Sequence, residues 1–223
     1  FMEFLNTSIG RKIVMAVTGL SMVLFAVVHL IGNSTIFVGP SGINAYAEHL
    51  HSMPLPIIML FRAVMLALFV VHIVYAIQLT IENRGGRPTD YAVKATRKAT
   101  FASENMIWTG LLLLAFIVYH LLHFTFRATP GLTLVNDASG HFNVFAMVAS
   151  SFSSIAGAGI YAVAMVVLFL HLYHGIQSLF QTFGLANGNT LPTITKAGAL
   201  VALVLFVGFL AIPMSILFGI IKG

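Results

Sequence analysis

Five uninterrupted apolar runs, at about residues 12–38, 56–82, 103–127, 159–183 and 196–221, constrain a chain of 223 residues more than any other feature. Crossing a bilayer as a helix takes roughly 20 predominantly apolar residues. Each run is long enough. Their continuous rather than alternating hydrophobicity argues against membrane β-strands. The expected fold is an all-α membrane protein with five transmembrane helices, here spans I–V, forming a single domain over residues 1–223. Charged residues make up 8% of the chain, against about a quarter in soluble proteins, which agrees. Arg11 and Lys12 precede span I as they would a signal peptide, but the run is too long and lacks a small-residue cleavage site. It is expected to remain as a helix.

The charges are informative by location. Arg11, Lys12, Arg84, Arg87, Lys94, Arg97, Lys98 and Lys196 fall on one side of the predicted topology, and only Arg62, Arg127 and Lys222 on the other. By the positive-inside rule the N-terminus is cytoplasmic and the C-terminus outside, as in a bacterial cytoplasmic membrane. In so apolar a chain the basic 83–100 loop reads as a solvated loop or a partner-docking surface, and no nucleic acid is expected. There is no cysteine, which excludes disulfides, thiolate iron–sulfur ligation and covalent haem attachment within this chain. The loops 39–55, 83–102, 128–158 and 184–195 hold no recognisable soluble domain. "VFAMVASSF" in the third is apolar enough for a short interfacial helix.

The chain also echoes itself. "TGLSMVLFAVVH" ends at His29 and "TGLLLLAFIVYH" at His120, each a Thr-Gly, nine residues and a histidine. "LFVVHIVYAIQ" (68–78) in span II resembles "LFLHLYHGIQ" (168–177) in span IV. Six of nine histidines, His29, His72, His120, His123, His171 and His174, sit in or near spans. One intramembrane histidine is as readily a bonded core residue as a functional one, yet ionisable groups there are rare enough to raise a functional hypothesis.

Depth organises the set. His29 lies 17 residues beyond Lys12 and His120 lies 17 beyond Ser103, while His72 is 10 before Glu82 and His174 is 9 before Phe183. At about 1.5 Å per residue these positions are roughly 25 Å and roughly 14 Å from the inner end. The layers then stand roughly 10 Å apart, pairing His29 with His120 and His72 with His174. Two imidazoles on facing helices suit the axial positions of a six-coordinate haem iron. Zinc would lack the further ligands of a tetrahedral site. Gly19, Gly32, Gly110 and Gly175 would thin their helices for a flat ring, or simply serve close helix packing. His171 competes with His174: the alignment of spans II and IV favours His171, whereas depth and the following Gly175 favour His174, the preferred ligand. His123, nearer the outer edge, suits a bonding role beside a propionate or quinone, and Asn33 and Ser34 are candidates for the same surroundings.

These features resemble the dihaem cytochrome b membrane subunit of succinate:quinone oxidoreductases, in the single-subunit anchor form found in menaquinone-linked succinate dehydrogenases and fumarate reductases. The resemblance rests on the TG-x9-H repeats, His72 with "AIQLTIENR", the run "HGIQSLFQTFG" and "ENRGGRPTDY", similar to an ENRxxRPxxY stretch. It implies a cytochrome b domain with spans I–IV bundled around two stacked b haems and span V peripheral. His29 and His120 would bind the distal haem iron, and His72 and His174 the proximal one. The partners implied are an FAD flavoprotein carrying the succinate and fumarate chemistry, an iron–sulfur subunit, menaquinone or menaquinol, and membrane lipid. The subunit would carry electrons between an outer menaquinone site and the iron–sulfur subunit inside.

The resemblance also implies a carboxylate near the distal haem. Glu48 is the nearest acid, with His49, His51 or Arg62 close in sequence. It is either a catalytic proton-handling group for quinone or a solvated loop acid. All six acids lie near helix ends or outside spans, so no mid-membrane carboxylate relay is expected. Two other readings compete: a dihaem cytochrome b of a formate or hydrogen dehydrogenase, and a histidine-lined transporter.

Overall fold

The computed structural model describes residues 7–85 and 104–222. Seven α-helices account for most of them: α1 Ser8–Ser34, α2 Pro40–Ser52, α3 Leu55–Gly85, α4 Met106–His120, α5 Val144–Phe152, α6 Ile155–Thr182 and α7 Leu191–Leu217. Five segments are long and apolar enough to cross a membrane: α1 with its extension, α3, α4 with its extension, α6 and α7. The protein is a multi-pass, all-α membrane protein. Sequence periodicity did not reveal α2, which stands where a loop was expected. The basic stretch Arg87 to Lys98 lies outside the described residues.

Local chemistry sets the ends. Thr7 caps α1 by accepting the Gly10 amide at 2.9 Å, one of the donors a helix start leaves unsatisfied. Beyond Ser34 the helix tightens into a 3-10 turn, Thr35–Val38. Gly39 then turns the chain at φ 106°, a left-handed value that favours glycine. Pro40, at the first position of α2, needs no amide hydrogen there. At its outer end α4 continues as a π-turn, Leu121–Thr125.

The spans form a ring: α1 packs on α3, α4 on α6, α6 on α1, and α3 more lightly on α4. The diagonal pairs α1–α4 and α3–α6 are not among the closely packed helices. They face each other across the interior. The last span, α7, lies outside this ring against α6 and α1, joined through Leu30, Leu172, Ile176, Ala202 and Leu205. Outward faces stay apolar and exposed, with Val163 at 66% and Leu66 at 61%. Surface of that kind is stable only where lipid, not water, covers it.

A cap closes the end of the ring where α1 and α4 finish, called outer here after the expected topology. Helix α5 does not lie loose at the interface: Phe145, Met147, Val148 and Phe152 are buried with Ile36, Ile43, Tyr161, Ile212 and Ile216. Asn44 of α2 fastens it, donating to the Asn143 side chain at 3.1 Å and accepting the Phe145 amide at 2.9 Å. At the inner end Arg11 pairs with Glu82, tying the start of α1 to the end of α3.

Candidate cofactor sites at the histidine pairs

The outer pair spans the α1–α4 diagonal. His29 and His120 face each other with ring centroids 5.9 Å apart and planes at 88°. Metal–imidazole bonds run about 2 Å, so two rings on opposite sides of one ion would have centroids roughly 6 Å apart. Phe25 stacks on His29 at 5.3 Å. On the other side the buried Tyr161 hydroxyl lies 3.2 Å from His120 Nδ1 and 3.0 Å from His123 Nδ1. The π-turn carries His123, and such turns recur at functional sites.

The inner level is built on the second diagonal, α3–α6, where His72 and His171 are seated alike. His72 Nδ1 is 3.2 Å from the Thr18 hydroxyl and 3.2 Å from the Met15 carbonyl, both on α1. His171 Nδ1 is 3.1 Å from the Thr109 hydroxyl on α4. The glycine beside each threonine makes room: a Cβ on Gly19 would lie 3.2 Å from His72 Cε1, and one on Gly110 would lie 3.4 Å from His171 Cε1. Thus Thr18-Gly19 is to His72 what Thr109-Gly110 is to His171. His174, preferred from depth counting, has no such seat. His171 has both His72 and His174 as electrostatic neighbours.

This equivalence gives the Thr-Gly repeats a meaning their spacing alone did not. From Thr18 to His29, and from Thr109 to His120, is eleven residues, close to three helical turns, so both positions share one face. At about 1.5 Å per residue each helix rises about 16 Å between its two positions. Helices α1 and α4 therefore serve both levels, seating the inner histidines and donating the outer ones. The other two glycines do ordinary packing. A Cβ on Gly32 would strike the Tyr46 ring at 2.3 Å, and Gly175 rests against the Met106 methyl.

Above the outer pair a cavity of about 480 Å³ is lined by Asn44, Glu48, His51, Arg127, His141 and Phe142, among others. Glu48 approaches His141 at 3.6 Å. A turn in which the Asp137 carboxylate accepts the Ser139 and His141 amides presents that histidine. Arg127 adopts φ 55°, uncommon for a residue with a side chain. Its guanidinium lies 3.7 Å over the Phe142 ring, and its Nε is buried without a hydrogen-bond partner. Sequence reasoning missed Tyr161, Arg127 and His141 as site members, since no spacing marks them. Arg62 is exposed on α3 and His49 on α2, and neither lines the cavity. Asn33 and Ser34 donate to their own helix, to the His29 and Leu30 carbonyls.

Each level offers two imidazoles, and no group of three or more His, Asp or Glu side chains able to hold a metal exists among the described residues. A bare ion such as zinc lacks its usual four ligands. The donor set fits an iron whose equatorial nitrogens come from a porphyrin.

Comparison with protein-family models matches residues 87–212, more than half of the chain, to the succinate dehydrogenase/fumarate reductase transmembrane subunit. Searches of curated proteins and of solved structures returned no match. With its five spans and two histidine levels, the chain belongs to the family of succinate dehydrogenase/fumarate reductase transmembrane subunits.

Proposed function

We propose that this anchor subunit holds two b haems, one per histidine level, and joins an outer menaquinone site to an iron–sulfur partner on the cytoplasmic side. The observation that supports this reading is that His29 faces His120 while His72 and His171 are seated alike on the Thr-Gly steps of α1 and α4. His29 and His120 would hold the outer iron, and His72 and His171 the inner one. His171 here replaces His174. When bound, such six-coordinate haems supply reversible one-electron storage.

The protein's own groups set tautomers at each level. A carbonyl only accepts, so the Met15 contact requires a proton on His72 Nδ1 and leaves Nε2 free to bind metal. At the outer level, a His120 bound through Nε2 donates its Nδ1 proton to Tyr161, whose hydroxyl can then donate to His123. This chain ends at the buried His123, in the π-turn directly before Phe126 and Arg127.

The outer cavity suits a quinone headgroup. Arg127 lines this cavity, and its guanidinium offers donors suited to a quinone carbonyl. Glu48, beside His141, is placed to take a proton when a quinol loses two protons and two electrons. Family membership implies a flavoprotein and an iron–sulfur subunit as partners, docking at the inner end. Dicarboxylate chemistry in either direction would reside on them.

The test is a reduced-minus-oxidised spectrum with haem extraction on the purified complex. Two b-type haems per chain are expected, and absence of b-type bands overturns the reading. Glu48→Gln should abolish quinol turnover while both haem spectra persist. Normal turnover would remove Glu48 from the site.

A further inference from the structure

We infer that Thr18 and Thr109 are positioning residues that set the electronic character of the inner haem through His72 and His171. The inference rests on the two-haem reading above.

The hydrogen-bond directions follow from what each oxygen already does. The Thr18 hydroxyl has carbonyl acceptors within reach on its own helix, Val14 at 2.9 Å and Met15 at 3.0 Å. The Thr109 hydroxyl likewise reaches the Met106 carbonyl at 3.0 Å. A hydroxyl has one proton to give, and here it goes to the helix backbone. Its lone pairs then accept from the histidine Nδ1 at 3.2 Å and 3.1 Å. Both threonines are buried, Thr18 at 4% and Thr109 at 5% exposure, so water does not compete. Each imidazole is thereby held with Nδ1 protonated, Nε2 free and its Cε1 edge against a glycine.

A protonated Nδ1 bonded to an oxygen makes Nε2 more basic and fixes the ring plane. A more basic ligand stabilises the ferric state and lowers the reduction potential. Two separate helix pairs supply the same threonine for one iron, and among the described residues no threonine bonds a histidine of the outer level. Its histidine on α4 has a tyrosine as partner, and His29 rests on Phe25. The threonines therefore act on the inner haem alone. His72 also has the Met15 carbonyl as an acceptor, so losing Thr18 should matter less than losing Thr109.

Potentiometric titration of the purified complex, with electron paramagnetic resonance of its oxidised form, reads this directly. Thr109→Val keeps the shape and removes the acceptor. It should raise the midpoint of the inner haem, alter that haem's low-spin signal and leave the outer haem unmoved. Thr18→Val should do the same to a smaller extent. Thr109→Ser and Thr18→Ser should restore the wild-type values, which a purely space-filling role would not do. If Thr109→Val prevents assembly, Thr109→Ala serves with the same expectation. Unmoved or lowered inner potentials, or serine variants no nearer wild type than valine, would overturn the inference with the two-haem reading intact. Wild-type complex without haem would overturn both.

Discussion

The two histidine levels are built by different means. At the inner level each imidazole sits on the Thr-Gly step of a neighbouring, regular helix, with hydroxyl, ring nitrogen and glycine in one repeated arrangement. At the outer level His29 stacks on Phe25, while His120 shares Tyr161 with a histidine in a π-turn. A cavity lined in part by Glu48, His51, Arg127 and His141 lies beyond. Symmetry suits a centre that must be held in one geometry inside apolar surroundings. The irregular outer level joins its histidine to a tyrosine hydroxyl and a second imidazole, groups able to exchange protons.

The contrast can be broken by mutation. The largest effect is expected at the outer ligands. His29→Ala or His120→Ala should remove one of two haems per chain, counted by extraction, and leave the inner haem's potential in place. Loss of both, or of neither, would mean the levels are not separate. Tyr161→Phe comes next. It leaves the Nδ1 groups of His120 and His123 buried without their shared partner, a cost of about 1–3 kcal/mol. Thermal denaturation should show the loss, and titration should show the outer haem alone displaced.

A smaller effect is expected in the cap. Asn44→Ala removes two bonds between α2 and the start of α5, worth about 1 kcal/mol each. Hydrogen exchange across residues 40–52 should quicken while both haem spectra stay unchanged. Least of all, Gly110→Ala introduces only an ordinary contact with His171, and alanine regains up to about 1 kcal/mol of helix propensity. It should be nearly neutral. Gly19→Ala crowds the His72 ring more tightly, so its inner-haem spectrum should broaden more than that of Gly110→Ala.

Much of this arrangement could be read from the sequence. The five spans follow from apolar length alone, and the outer pair from two histidines equally far from their inner helix ends. The inner ligand on α6 was harder, because counting back from a helix end assumes that the inner ends are level. Helix α3 runs to Gly85, three residues past Glu82, while α6 stops at Thr182; counted from those ends His72 stands 13 residues in, His171 11 and His174 8. The decisive marker was in the repeats themselves. Thr-Gly precedes each outer histidine by three turns, but only the folded ring shows which histidine each step receives. Gly175, which pointed to His174, supports His171 equally well. It lies four residues from His171 and so shares that histidine's face rather than His174's. Tyr161 and Arg127 had no sequence signal, because their roles come from the π-turn and the left-handed residue that follows it.

Helix α6 carries the sharpest test of the account. Electron paramagnetic resonance of the oxidised complex should show two low-spin haem signals in wild type. His171→Ala should lose the inner signal alone, and His174→Ala should retain both. Retention of both signals in His171→Ala, or loss of one in His174→Ala, would contradict the two-level arrangement.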